Sequence, residues 1–313
     1  MKPPPPPLPD KWRVPPALES EPLRRKPQAA PPPGPRFEEE ILATLSSERA
    51  RRDIQFDIDL FEALNEEYSS KPLVAAPQTY EPSSLTERSR TRLSAVHQSI
   101  DLMDKRVLEI GCGHGFEVWM IAHNFSSEAH GIDVREYSAW EHLADERTHY
   151  HQADLCVDNP FSPDFFDRIL SFVVWEHISH PYRMLEEAHR VLKPGGLMWL
   201  RANLYRGAMA SHRYREVYFP WPHLLFSDEV FEEFYRRRGK MNVRAAWVNK
   251  LTWPHYEAYF ERIGFKIRMV RFSGAPFDEE FYTRFEDVLG RYPRSDLERD
   301  FFTAVIEKPA ENS

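Results

Sequence analysis

The 313 residues include 41 Lys and Arg against 49 Asp and Glu, a formal charge of -8, with 42% hydrophobic residues and two cysteines. That length and apolar content suit one large domain or two small ones, and the acidic balance argues against non-specific nucleic-acid binding through a broad basic face. Two cysteines, Cys112 and Cys156, make no disulfide framework or zinc cluster, no apolar run approaches the ~20 residues of a membrane span, and Met1-Lys2 leads into prolines rather than a signal-peptide core, so a soluble cytoplasmic protein is expected.

Residues 1–36 hold fourteen of the 27 prolines, seven Lys or Arg and three Asp or Glu, and few large apolar side chains. Proline donates no ladder hydrogen bond and clashes inside a helix, and so little apolar surface cannot offset the entropy of ordering. The segment reads as a disordered, partly polyproline-II tail, either a spacer or a docking peptide for an SH3-like partner. From Phe37 to about Tyr68 two apolar stripes, Phe37/Ile41/Leu42/Leu45 and Leu60/Phe61/Leu64, predict helices packing by one face. Ser84 to Ile100 predicts another, and residues 37–83 form an N-terminal helical segment ahead of the main domain, 84–313.

Val107, Leu108 and Ile110 form a short apolar run expected of a buried parallel strand. Gly111, Gly113 and Gly115 follow, where glycine permits the sharp turn and leaves the backbone open to a ligand. Val118, Ile121, Ala122 and Phe125 then recur at helical spacing. Strand, glycine turn and helix make the first unit of a Rossmann-like fold, with a ligand expected at the strand's carboxyl end. A dinucleotide fingerprint would need its third glycine at Phe116, and Glu109 would repel a pyrophosphate but suits a cationic ligand. Downstream, Ala129–Val134 is a second strand ending at Asp133, placed either to accept from both ribose hydroxyls or to cap the next helix. A third strand lies near His149–Gln152, a fourth at Phe166–Val174, a fifth at Leu197–Leu200 after a helix stopped by Lys193-Pro-Gly-Gly196, a sixth at Phe265–Phe272 and a seventh at Phe301–Ile306.

Glu109-Ile-Gly-Cys-Gly-His-Gly115, with the later Trp175-Glu-His177, helix, Leu-Lys-Pro-Gly-Gly196 pattern, resembles the class I S-adenosylmethionine (SAM) dependent methyltransferases, in particular the ubiquinone and sugar methyltransferase branch; the likeness is good over Ser84–Asn203. It implies an α/β Rossmann-like seven-stranded sheet, mostly parallel with an antiparallel last strand and helices on both faces. It implies SAM as cofactor, bound by Glu109, Gly111, Gly113, Gly115, Asp133, Val134, Asp154, Leu155 and Phe172, with Asp154 accepting from the adenine amine. Asp154 could equally make only a turn.

Histidine suits removal of a hydroxyl proton at neutral pH. His177 is the first candidate base, though it could merely cap a helix; Glu176 is its orienting neighbour and His212 the next candidate. His177 and His180 lack a nearby carboxylate cluster, so no metal site is expected. The aromatic insert at about 204–250 reads as a substrate lid or an extra packed helix pair, and its Arg236-Arg-Arg238 run as a solvated face or a phosphate contact. The resulting expectation is methyl transfer to a hydroxyl, less readily an amine, of a small molecule such as a sugar or glycan, with no nucleic-acid partner. A protein methyltransferase recruited by the tail, or a non-catalytic SAM-binding interaction module, are the other readings.

Overall fold

The structure is a computed structural model, and it describes residues 7–16, 57–74, 79–241, 243 and 248–310. Its strands are β1 (Arg106–Ile110), β2 (Glu128–Asp133), β3 (Thr148–Gln152), β4 (Phe166–Phe172), β5 (Leu192–Asn203), β6 (Lys266–Ser273) and β7 (Phe301–Glu307). They form one seven-stranded sheet in the order β3-β2-β1-β4-β5-β7-β6. The strands β1 to β5 pair in parallel, whereas β7 runs antiparallel to both β5 and β6. The chain winds outward from β1 through β2 to β3 and then returns to β4 on the other side of β1. Strand order therefore switches direction between β1 and β4, where an open α/β sheet leaves a crevice at its carboxyl edge.

The helices are α1 (Ile58–Glu67), α2 (Pro82–Ser99), α3 (Phe116–Asn124), α4 (Trp140–Leu143), α5 (Pro181–Val191), α6 (Pro222–Leu225), α7 (Asp228–Arg236), α8 (Trp253–Ile263), α9 (Glu279–Arg284), α10 (Glu286–Leu289) and α11 (Arg294–Leu297). Both sheet faces are covered, as the alternation of strand side chains demands. Leu108, Ile110, Ile169, Leu200 and Ile306 pack with Leu185 and Ala188 of α5 and Tyr256 and Phe260 of α8. Val107, Ala129, Leu170 and Val305 face the other way, against Leu93 and Val96 of α2 and Val118 and Ile121 of α3. α5 starts on Pro181 at its first turn, where a missing N–H is harmless.

The expected stop at Lys193–Gly196 is not a helix cap. α5 ends on Leu192 in an extended conformation, and β5 already runs through the Lys-Pro-Gly-Gly stretch, which the Gly195 φ of 77° bends. The peptide N–H groups of Gly195 and Lys308 bond to the carbonyls of Lys308 and Gly196, so the stretch continues the pairing with the chain's last strand.

A second core lies beside the sheet. Phe61 and Leu64 of α1, Phe231, Phe234 and Tyr235 of α7, Phe219 and Trp221, and Phe281, Leu289 and Leu297 of the C-terminal helices bury together. The 204–250 insert is therefore packed structure built on α1. Arg237 and Arg238 pair with Glu62, and Arg236 and Arg237 with Glu233, so the arginine run ties α7 to α1. The predicted helix over Phe37–Leu45 lies outside the described residues. Within the stretch expected to be a tail, residues 7–16 lie against α3: Leu8 and Trp12 pack on the sheet-and-α3 cluster, and Arg13 exchanges backbone hydrogen bonds with the Asn124 side chain. The remainder of 1–36 lies outside the described residues.

Candidate active site

β1 delivers the chain into the glycine turn with no room to spare. Gly111, Gly113 and Gly115 all have positive φ, at 73°, 53° and 81°. A Cβ on Gly111 would sit 2.5 Å from Val174 Cγ2, and one on Gly115 would sit 2.3 Å from Tyr150 Cε1. Those two glycines are thus required by the protein's own packing as well as by the sharp turn. Gly113 differs: nothing lies within 4 Å of its Cβ direction, and it lines the cavity.

The turn is held from several sides. The indole of Trp140 donates to the Gly113 carbonyl at 2.8 Å, and the Tyr150 hydroxyl donates to the Gly115 carbonyl at 2.8 Å. The Asp133 carboxylate accepts from the Gly113 N–H on one oxygen and from the Arg135 N–H on the other, both at 3.0 Å. Each carboxylate oxygen retains further acceptor capacity after one such bond. Cys112 tucks beneath Gly131. Burial pushes its thiol well above the ordinary range, which leaves it a packed residue and no nucleophile.

A cavity of 640 Å³ opens at this point. Glu109, Gly111, Gly113, Asp133, Val134, Asp154, Leu155 and Phe172 all line it, together with His177. Of the residues expected to hold a cofactor, Gly115 is the exception: it stands behind the turn, under Tyr150. Asp154 accepts from the Cys156 N–H at 2.9 Å, so it makes an Asx turn while facing the cavity.

The sequence reading did not single out the cavity's charged roof. Arg88 and Arg92 come from α2 and Glu117 from the first turn of α3. Arg92 pairs with Glu117 at 2.7 Å. Beside them Glu109 is 2% exposed, and its Oε2 has no hydrogen-bond partner. Burial, with Glu117 adding to it, raises Glu109 well above the usual carboxylate range, and Arg92 opposes the shift. The spacing of Arg88 and Arg92 at i and i+4 was a signal, but on a polar helix it reads as a solvated face.

At the other end, β4 ends in a kink. Val173 has a φ of 59° and donates its N–H to the Arg201 carbonyl at 2.7 Å. A β-branched residue in the left-handed region carries strain, and here the strain turns Trp175–His177 into a single 3-10 turn at the cavity. Asn249 pins that turn: its Nδ2 donates to the Trp175 carbonyl at 2.6 Å and its N–H to the Glu176 carbonyl at 2.8 Å. Asn249 was missed in the sequence because a polar residue at the end of an insert looks like ordinary loop.

Glu176, His177 and His212 meet here, each offering a ligand or proton-carrying atom within 4.8 Å of the others. Glu176 is 2% exposed, and neither carboxylate oxygen closes a hydrogen bond, although the peptide groups of Glu176 and Asn203 favour the anion. Burial pushes Glu176 up to about 7. The His212 ring stands edge-on to His177 with centroids 4.7 Å apart. Burial first, then His177 and Arg213, hold His212 down to about 4. His177 is the exposed member of the three and lies on the cavity wall.

The sheet order, the glycine turn and the acid closing β2 are now joined by a match of residues 108–200 to a family described as a methyltransferase domain. Residues 108–200 thus carry a methyltransferase domain, on a sheet of the class I SAM-dependent methyltransferase kind. The chain's similarity to characterised proteins is partial. It is 26% identical over 175 residues to the tRNA U34 carboxymethyltransferase of Pseudomonas fluorescens (strain Pf0-1), covering 53% of this chain and 54% of that one. It is 32% identical over 149 residues to the 24-methylenesterol C-methyltransferase 2 of Oryza sativa subsp. japonica, covering 41% of this chain and 40% of that one. The chain spans about half the length, or less, of these curated relatives. A solved SAM-dependent methyltransferase from Mesorhizobium loti superposes with a TM-score of 0.45 at 18% identity, over 71% of this chain and 96% of that one.

The cofactor the family implies is SAM, and the cavity's chemistry fits it. SAM carries an ammonium, a carboxylate, a ribose and a sulfonium. The cavity offers a buried acid at Glu109 whose Oε2 closes no hydrogen bond, guanidinium groups at Arg88 and Arg92, and a carboxylate at Asp133. Among the described residues no helix is long and apolar enough to cross a membrane.

Proposed function

We propose that this chain transfers the methyl group of SAM to a hydroxyl of a small acceptor, a sugar or glycan being the class that the polar, partly enclosed acceptor end suits best. Glu109 would take the cofactor's ammonium, Arg88 and Arg92 its carboxylate, Asp133 the ribose hydroxyls, and Asp154 with Leu155 the adenine edge. Bound there, SAM supplies a methyl carbon already activated by its positive sulfur, so the acceptor oxygen forms the new bond as the sulfur keeps the old bonding pair. The chain's own work is to hold the two partners in line and to take charge of the acceptor's proton. The observation that carries the reading is one cavity lined at the cofactor end by Glu109, whose Oε2 closes no hydrogen bond, and elsewhere by His177, which groups with the more buried Glu176 and His212. The insert would act as the lid that brings His212 over the acceptor.

A nucleic-acid acceptor is the second reading, favoured by the likeness to the Pseudomonas fluorescens tRNA U34 carboxymethyltransferase. The experiment is incubation of the purified chain with methyl-labelled SAM and, separately, pooled small hydroxylated metabolites and bulk tRNA. Label entering the small-molecule fraction supports the first reading. Label entering only tRNA replaces it with the second, and label entering neither fraction contradicts both.

A further inference from the structure

Two clusters of imidazole and carboxylate groups in the described residues could hold a metal: Glu128, His130 and His149 at the β2–β3 edge, and Glu176, His177 and His212 at the cavity mouth. In the first, the groups already satisfy one another. His130 bonds His151 through one ring nitrogen at 3.2 Å and Glu128 through the other at 3.0 Å, and Arg106 neutralises Glu128 at 2.9 Å. A cation there would displace good hydrogen bonds and face an arginine.

The second cluster has the opposite character. A carboxylate 2% exposed to solvent lies beside two imidazoles, and neither oxygen closes a hydrogen bond, the peptide groups of Glu176 and Asn203 alone favouring its anion. Burying a carboxylate without a partner costs several kcal/mol, and the surroundings do not relax around it. Asn249 clamps the backbone of the turn while making no bond to the carboxylate, and His212 is held at a φ of 54°. The strain at Val173 and His212 thus preserves an arrangement in which neither Glu176 oxygen closes a hydrogen bond, the pattern of a site completed by something else. We propose that Glu176, His177 and His212 form a divalent transition-metal site at the acceptor end of the cavity, which takes an acceptor hydroxyl as a further ligand.

Two nitrogens and one carboxylate oxygen favour zinc, manganese, iron or cobalt over magnesium and calcium, which prefer all-oxygen shells. Three protein ligands leave positions open, and His177, which lies on the cavity wall, puts the site next to the space where an acceptor would sit. The proposal rests on the reading of this cluster as the acceptor side, and it changes the part His177 plays: ligand in place of base, with the hydroxyl's proton passing to solvent water as the oxygen binds the cation.

The test is calorimetric titration of zinc into the full chain after chelator treatment, with manganese followed by electron paramagnetic resonance as a second probe. One site per chain of micromolar or tighter affinity is expected, weakened at least tenfold by Glu176→Gln and by His212→Ala and unchanged by His149→Ala. Circular dichroism melts identify any variant that has failed to fold, and the near-isosteric Glu176→Gln then carries the comparison. The proposal is overturned if the chain binds neither ion, if the affinity is the same in Glu176→Gln and His212→Ala as in the wild type, or if His149→Ala abolishes it. SAM binding is measured in the same preparations. SAM retained without metal binding sinks only this inference, whereas loss of both sinks the proposed function too.

Discussion

Glu109 and Glu176 are each buried to 2% exposure, and Oε2 of Glu109 and both oxygens of Glu176 close no hydrogen bond; Glu109 lines the cavity, and Glu176 adjoins His177 on its wall. Both positions were legible in the amino-acid sequence alone. Glu109 stands two residues before the first glycine, and Glu176 follows the fourth strand. Arg88, Arg92 and Asn249 were not legible, because their importance comes from what the fold sets opposite them. Asn249 carries a prediction at this scale. Asn249→Ala removes the Nδ2 donor from the Trp175 carbonyl, which keeps only its 3.2 Å bond from the Ile178 N–H, at about 0.5–1.5 kcal/mol, so a urea melt should show that loss. An unchanged midpoint would mean the turn is held by other contacts. A second prediction concerns pH. Burial holds His130 down to about 4, below the ~6.5 of an exposed imidazole. The unfolded chain therefore binds the proton first, and stability falls as pH drops from about 6.5 towards 4. Glu128, His149 and His151 face the same ring; Glu128, held low by its partners, adds to the loss only towards the acid end of that window. Melting temperature followed across this range should decline less steeply in His130→Phe, whose ring would remain among Phe161, Phe165 and Phe166. Parallel curves for the two proteins would assign the decline to other groups.

At the scale of elements, the alternation of apolar runs and helical stripes located every strand within a few residues, because periodicity is a local property that the sheet's two buried faces enforce. β5 was the exception. Lys193-Pro-Gly-Gly196 reads as a stop, yet its backbone pairs with Lys308, and that distant partner leaves no trace in the local pattern. The three glycines were legible as a turn, but their individual reasons were not, and the reasons predict different mutants. Gly115→Ala forces a left-handed alanine against Tyr150 and should cost about 2–4 kcal/mol of stability. Gly113→Ala meets no neighbour and should cost only about 1 kcal/mol, while its methyl group intrudes on the cofactor space and weakens SAM binding several-fold. Equal melting temperatures for the two variants would contradict this division.

For the molecule as a whole, the methyltransferase domain match covers residues 108–200, while much of the chain's aromatic content lies outside it in the second core. The sequence showed the insert's own stripe of Phe231, Phe234 and Tyr235. It could not show that α1 before the sheet and α9–α11 near the chain's end would close over that stripe. Phe61 is the keystone, edge-on or tilted to Phe219, Phe226, Phe231 and Phe234 at 4.8–5.2 Å. Phe61→Ala should cost about 3–5 kcal/mol, and because the same core carries the segment bearing His212, acceptor turnover should fall further than SAM affinity. On the proposed function, the cavity at the β1–β4 switch binds SAM and Asp133 grips its ribose. Calorimetric titration of SAM into the wild-type chain and Asp133→Ala tests it most directly. Micromolar binding at one site, weakened at least tenfold by the substitution, is the predicted result; no binding heat from the wild type, or equal affinity in both proteins, would contradict it.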